Sequence, residues 1–370
     1  MIKKNIIFNF KFSLLFWLIL FSFFTRLLSA YILGDQNIWD EWGILVDNLI
    51  NFQSYSFYKF NDQLIPSVYM PPMYPFFLYL TKIITFQKFD FLNLIIFFQV
   101  ILSTFSVYIF YQINTKIFSN KLSLINSFIF SFFPLNLYVT GQISSICLQI
   151  FLSLLFLKYF LFFCDNQSKK NIIILSIVSA ALILTRGEFI LIFAASLLYL
   201  FIFRKIRFNS IIRFFLIIAI LVSPYLIRNY YTFDEIIIVK SSGFNLWKGN
   251  NQIASVGGTP SIHPPNTFEE EQWKSLEGEE FKSLKDKLDS IKIDKMYEIN
   301  RDNIFLEEAK NNIINNPQRY LGLFFKKMFS FYFVDTQSTY PNYYNFLHFF
   351  PVLALSIISF PGILLAARKN

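Results

Sequence analysis

The stretch IWDEWGILVDNLINFQSYSF, residues 38–57, sets Asp40 and Glu41 side by side, with Asp47 two helical turns further on. On a helix, Ile38, Trp39, Trp42, Leu45, Val46, Leu49 and Ile50 gather on one side, and Asp40, Glu41, Asp47, Asn48 and Asn51 take the rest. Two roles suit such acids. An ionised carboxylate within hydrogen-bond reach of a hydroxyl is a general base, and Asp40, with Glu41 beside it, is the candidate. The plainer role is the solvated face of a helix lying in a membrane interface, with its tryptophans at headgroup level.

Residues of opposite charge recur further along the chain. Arg186 in LTRGEF stands between two apolar runs, where a guanidinium is costly without a partner. With Lys82, Arg228 in SPYLIRNY and Lys248 in GFNLWKGNN, it could face a departing phosphate and stabilise the charge gathered there. Arg186 equally suits a pair with Glu188 or a headgroup anchor, and Arg228 an anchor ending a span. Arg26, inside the first apolar run, could pair with the acids of the loop that follows. Tyr74 in MPPMYP offers a ring to a sugar or to the interface, while the prolines shape a turn. Asn245, Trp247 and Asn250 place amides near an aromatic ring, which suits a carbohydrate, a phosphate or simply a structured loop.

The elements that must position these residues are set by composition. Of 370 residues, 55% are hydrophobic and only 15% charged, which excludes an ordinary soluble domain and predicts an all-α polytopic bundle. About eight spans are expected, at 12–33, 91–113, 122–140, 144–163, 172–185, 188–203, 211–227 and 345–367. The net charge of +9 is a topological signal rather than a nucleic-acid footprint. If the apolar stretch 71–86 lies flat on the surface, the clusters Lys3/Lys4/Lys11, Lys116/Lys121, Lys169/Lys170, Arg204/Lys205/Arg207/Arg213 and Arg368/Lys369 all fall on one side. That side is then cytoplasmic, together with the N-terminus. The N-terminal run lacks a small-residue cleavage site and reads as a retained span.

The resulting division is a transmembrane core over 1–227 with its first external loop at 34–90, a small extracytoplasmic cap at 228–318, and an interfacial helix plus last span at 319–370. Interfacial helices are expected in the first loop. Cys147 and Cys164 lie in apolar segments and imply no disulfide, and no internal repeat supports an inverted-repeat transporter.

An acid-bearing first loop followed by PPMYP, an LTRGE hairpin, and PYLIRNY followed by NLWKGNN resembles the polyprenyl-phosphate-sugar glycosyltransferases of the GT-C class. The relatives are the protein O-mannosyltransferases and the transferases that add aminoarabinose to lipid A. The resemblance runs over about residues 10 to 330 and rests on the order and shared side of these motifs. It implies a multi-span helical fold, a sugar donor on a polyprenyl phosphate, and a catalytic first-loop acid, which on this chain is Asp40.

No cofactor is expected, since His263 and His348 stand far apart and no metal-ligand spacing occurs. In the more distant oligosaccharyltransferase branch a divalent ion sits with first-loop acids; the counterparts here would be Asp40 with Asp35 or Asp47. The partners that follow are a lipid-linked sugar, a lipid, glycan or protein acceptor, and membrane lipids in the plasma (inner) membrane. The competing reading is a non-enzymatic lipid-linked-sugar transporter or a polysaccharide-export component. Such a path would spread ionisable residues through the depth of the bundle, whereas here they crowd one face.

Overall fold

The computed structural model describes residues 2–38, 41–60, 63–85, 90–203, 207–258, 281–336, 338 and 343–369. These form fifteen helices and one two-stranded sheet, grouped in two compact units: Met1–Phe52 with Pro71–Ile238, and Gln53–Met70 with Val239–Asn370.

The first unit holds α1 (Ile2–Leu33), α2 (Glu41–Phe52), α3 (Met73–Thr85), α4 (Phe91–Ile117), α5 (Asn120–Phe132), α6 (Pro134–Gly141), α7 (Ile146–Asp165), α8 (Lys169–Thr185), α9 (Phe189–Phe203) and α10 (Phe208–Phe233). Each expected span in this unit coincides with a helix or helix pair. By length and composition α1, α4, α7 and α10 can cross a membrane, and the bent pair α5–α6 makes a fifth if taken as one span. The count is therefore four or five among the described residues, short of the expected eight. The three others are short: a crossing takes about 20 residues, α8 and α9 have 17 and 15, and the apolar part of the last helix runs only from Phe349 to Leu365. At 13 residues α3 reaches only about 20 Å, in keeping with a stretch that does not cross.

The 50° bend between α5 and α6 has a sequence cause. Phe133 is extended because the ring of the following Pro134 excludes it from the helical region, and Pro134 opens α6 where a missing N–H costs nothing. The packing centre is α4, which meets α1, α3, α5, α6 and α7, while α8 fits between α7 and α10. Leu148, Leu175, Leu182, Phe193 and Phe214 belong to the buried apolar cluster that these helices share.

Where α1 ends, the chain passes against α6. A Cβ on Gly141 would lie 2.8 Å from the Gly34 Cα and 3.0 Å from the Ala30 Cα, so only glycine fits this crossing.

The second unit opens with strands β1 (Ser56–Phe60) and β2 (Gln63–Pro66), an antiparallel hairpin with a bulge between Ser56 and Tyr58. The bulge lets consecutive Phe57 and Tyr58 both point inward. The sequence reading of the first loop contains no strand. The unit continues with α11 (Ser242–Gly249), α12 (Lys282–Asp289), α13 (Tyr297–Asn315), α14 (Pro317–Tyr332) and α15 (Phe349–Lys369). Its core is Phe244, Trp247, Phe281, Leu284, Leu288, Phe305 and Ala309.

Candidate active site

Asp40 lies outside the described residues. Glu41, the neighbour one peptide unit away, stands in the first turn of α2, where the helix dipole favours a carboxylate. The helix is fixed by fully buried Leu45 and Val46, and by Gly43, whose missing side chain lets the Ile38 carbonyl come close.

The approach to this turn is held by hydrogen bonds. The Asp35 amide donates to the Gly141 carbonyl at 3.1 Å, and Asp35 Oδ2 accepts from the Ile143 amide at 2.6 Å. The Gln142 amide group donates to the Leu33 carbonyl at 2.8 Å. Behind them lies Gln99 of α4. Its Nε2 donates to the Gln142 carbonyl at 2.9 Å and to the Thr140 carbonyl at 3.2 Å, while its Oε1 accepts from the Tyr74 hydroxyl at 3.0 Å. One buried amide thus ties α3, α4 and the α6–α7 junction to the end of α1.

A cavity of about 890 Å³ lies between the end of α1 and the start of α4. One part of its wall is apolar, with Phe24, Leu28, Ile96 and Phe97; another carries Asp35, Gln36, Asp90 and Asn93. Asp90 caps α4, accepting from the Leu92 amide at 3.1 Å and from Asn93 Nδ2 at 2.7 Å. Among the described residues no Lys or Arg forms an ion pair with Asp35 or Asp90.

The cations take separate places. Arg186 caps the end of α8, and its Nη1 reaches Glu188 Oε1 at 3.5 Å, a long contact with both side chains well exposed. Its buried Nε has no hydrogen-bond partner. In α3, Lys82 holds its ammonium 4.3 Å from the centre of the Phe91 ring. Arg228 donates to Asn229 Oδ1 at 2.8 Å and lies over Phe233. Arg26 is a correction: instead of meeting a first-loop acid, it is fully buried and donates to Ser103 Oγ at 2.8 Å, Ser22 Oγ at 2.5 Å and Ser131 Oγ at 3.3 Å. Serines on α1, α4 and α5 take its Nε and Nη1 because it points into the bundle rather than toward the loop, while its Nη2 is buried without a hydrogen-bond partner among the described residues.

The aromatic candidates are buried. Tyr74 is fully covered, bound to Gln99 and edge-on to Trp42, so its ring is a packing surface. Trp247 is fully covered in the core of the second unit, against Phe305 and Phe281, and offers no face to a sugar in this arrangement. In the same unit Asn245 is exposed, and Asn250 turns back to donate to the Leu246 carbonyl at 2.8 Å. Lys248 lies in the last turn of α11. The motif GFNLWKGNN is held by basic residues of α14: Lys327 donates to the Gly249 carbonyl, and Arg319 to the carbonyls of Asn251, Gln252 and Ala254.

Sequence reasoning passed over Gln99 and Asp90. Each had a signal: an amide in the middle of an apolar span needs a partner, and an aspartate directly before an apolar run is a helix cap.

A polytopic helical membrane protein with carboxylates around a cavity at the end of its first long helix is the class that the fold and these residues define. Residues 70–227 match the sequence model of the dolichyl-phosphate-mannose-protein mannosyltransferase family, which belongs to the GT-C class of glycosyltransferases. By its apolar helices the chain is a multi-pass membrane protein, and over residues 70–227 it is similar to this glycosyltransferase family. The matched stretch takes in Tyr74, Lys82 and Arg186, and stops before Arg228 and GFNLWKGNN; Asp40 and Glu41 precede it. No curated protein matches the chain.

Proposed function

We propose that this protein transfers a sugar from a polyprenyl-phosphate donor to a hydroxyl of a lipid, glycan or protein acceptor, on the extracytoplasmic side of the plasma membrane. The observation that carries the reading is the family match over residues 70–227, which covers most of the membrane core.

The reaction is a single inverting displacement. Asp40 takes the proton of the acceptor hydroxyl, the oxygen attacks the anomeric carbon, and the bond from that carbon to the phosphate oxygen breaks, its electron pair leaving with the polyprenyl phosphate. Glu41 is the reserve base. Arg186, Arg228 and Lys82 are the cations proposed for the phosphate, and Lys248 is proposed separately as a donor contact. Arg186 is the foremost of them, because its single contact with Glu188 is long and its Nε is unsatisfied. Tyr74 and Trp247 act in this reading by shaping the fold, while Asn245 and Asn250 remain proposed substrate contacts.

The test is Asp40→Asn in verified membrane fractions, supplied with a polyprenyl-phosphate sugar. Transfer should fall by at least about a hundredfold, as for loss of a general base, with donor binding kept. A fully active variant removes Asp40 from the chemistry.

A further inference from the structure

We propose that the cavity between α1 and α4 seats the acceptor, and that the acceptor is a membrane lipid whose head is uncharged or cationic and rich in hydrogen-bond donors. The assignment rests on the glycosyltransferase reading and narrows its acceptor class.

Polarity comes first. The wall changes from Phe24, Leu28, Ile96 and Phe97 to Asp35 and Asp90, the ordering that an amphiphile presents from chain to head. Leu28 and Phe24 are 58% and 56% exposed on the outer surface of α1, so a lipid chain can enter from the bilayer.

Charge then separates donor from acceptor. Asp35 and Asp90 each receive hydrogen bonds from protein amides, and no described cation neutralises them. A phosphate-headed lipid meets repulsion here, whereas hydroxyls or an ammonium find acceptors. The cations proposed for the donor phosphate, Arg186 and Lys82, do not line this cavity.

Asp35 and Gln36 line the cavity, and the proposed base Asp40 follows Asp35 by five residues in the sequence.

The experiment uses the full chain in phosphatidylcholine nanodiscs and two probes of equal chain length, dodecyl maltoside and dodecyl phosphate. Dodecyl maltoside should bind at least about tenfold more tightly, and Leu28→Trp, which fills the apolar part, should weaken it by about tenfold. In transfer assays with a membrane-lipid extract as acceptor, the same variant should raise the KM for extract and leave the donor KM unchanged. Equal or tighter binding of dodecyl phosphate overturns the proposal. So does a Leu28→Trp protein that loses the bound amphiphile but keeps its acceptor KM, since the cavity then holds a structural phospholipid. Transfer to peptide with none to lipid sinks the acceptor assignment and leaves the glycosyltransferase reading standing; absence of transfer to any acceptor sinks both.

Discussion

The Tyr74 hydroxyl donates to Gln99 Oε1 at 3.0 Å, with both side chains buried. Through the other end of the same amide, α3 is joined to the Thr140 and Gln142 carbonyls, and so to the segment that receives the end of α1. Residues 34–38, which precede Asp40 in the sequence, leave this junction, so their starting point is fixed by an interaction remote from them in sequence.

Gln99→Leu should lower stability by about 2–3 kcal/mol, because the Tyr74 hydroxyl and two carbonyls lose their partner in a buried place. Tyr74→Phe alone should cost about 1 kcal/mol. Unfolding in mild detergent then gives the coupling: the double variant should be less damaged than the sum of the single ones by at least about 0.5 kcal/mol. Strict additivity would mean that the two groups do not interact.

Gly141→Ala should destabilise by about 1–3 kcal/mol, since the new Cβ meets backbone atoms of Gly34 and Ala30 at 2.8 and 3.0 Å, which cannot turn aside as a side chain would. Gly322 in α14 provides the contrast. A Cβ there meets nothing within 4 Å, and Gly322→Ala should stabilise by about 0.5–1 kcal/mol through lower chain entropy and better helix propensity. Thermal melts of the two variants should shift in opposite directions.

Much of the fold is legible in the sequence because hydrophobic runs set helix positions, and the helices of the first unit follow those runs closely. Span number is less legible, since α9 and the part of α8 after its opening Lys169, Lys170 and Asn171 are apolar yet short of a full crossing. The hairpin escapes a reading tuned to long runs: SFYKF and QLIP have only five and four residues, and helical periodicity in the segment before them dominates. Charge type was easier to read than charge partner. Arg186 meets Glu188, one of the alternatives that the spacing allowed, whereas Arg26 meets serines from helices distant in sequence. Aromatic surroundings were not legible. Trp247 with its amides suited a carbohydrate, a phosphate or a structured loop, and the Phe281 and Phe305 that enclose its ring lie far along the chain.

Arg319→Lys should cost about 1.5–3 kcal/mol in the second unit, although charge is conserved. The guanidinium spreads its donors over the carbonyls of Asn251, Gln252 and Ala254, and an ammonium cannot hold that fork. Hydrogen exchange should speed up around GFNLWKGNN while the spans stay protected. Uniform protection would show the three contacts to be dispensable.

The last prediction concerns pH and Glu298. This carboxylate is fully buried in α13, where Oε2 accepts from the Val68 amide at 2.6 Å, the Tyr69 amide at 2.8 Å and Ser67 Oγ at 3.1 Å, and Oε1 has no partner. Burial pushes its pKa above the usual carboxylate value, against the opposing pull of those donors and of Arg301. The folded unit therefore keeps the proton over a range where the unfolded chain, titrating near about 4.3, has lost it. More protons bound when folded means that this group's contribution falls as pH rises from the unfolded pKa through the folded one, then levels off. Glu298→Gln retains a carbonyl acceptor for the two amides and removes the titration. The stability of wild type minus that of the variant, measured from pH 4 to 8, should thus decline with pH; a difference that rises would mean that the amides and Arg301 outweigh burial.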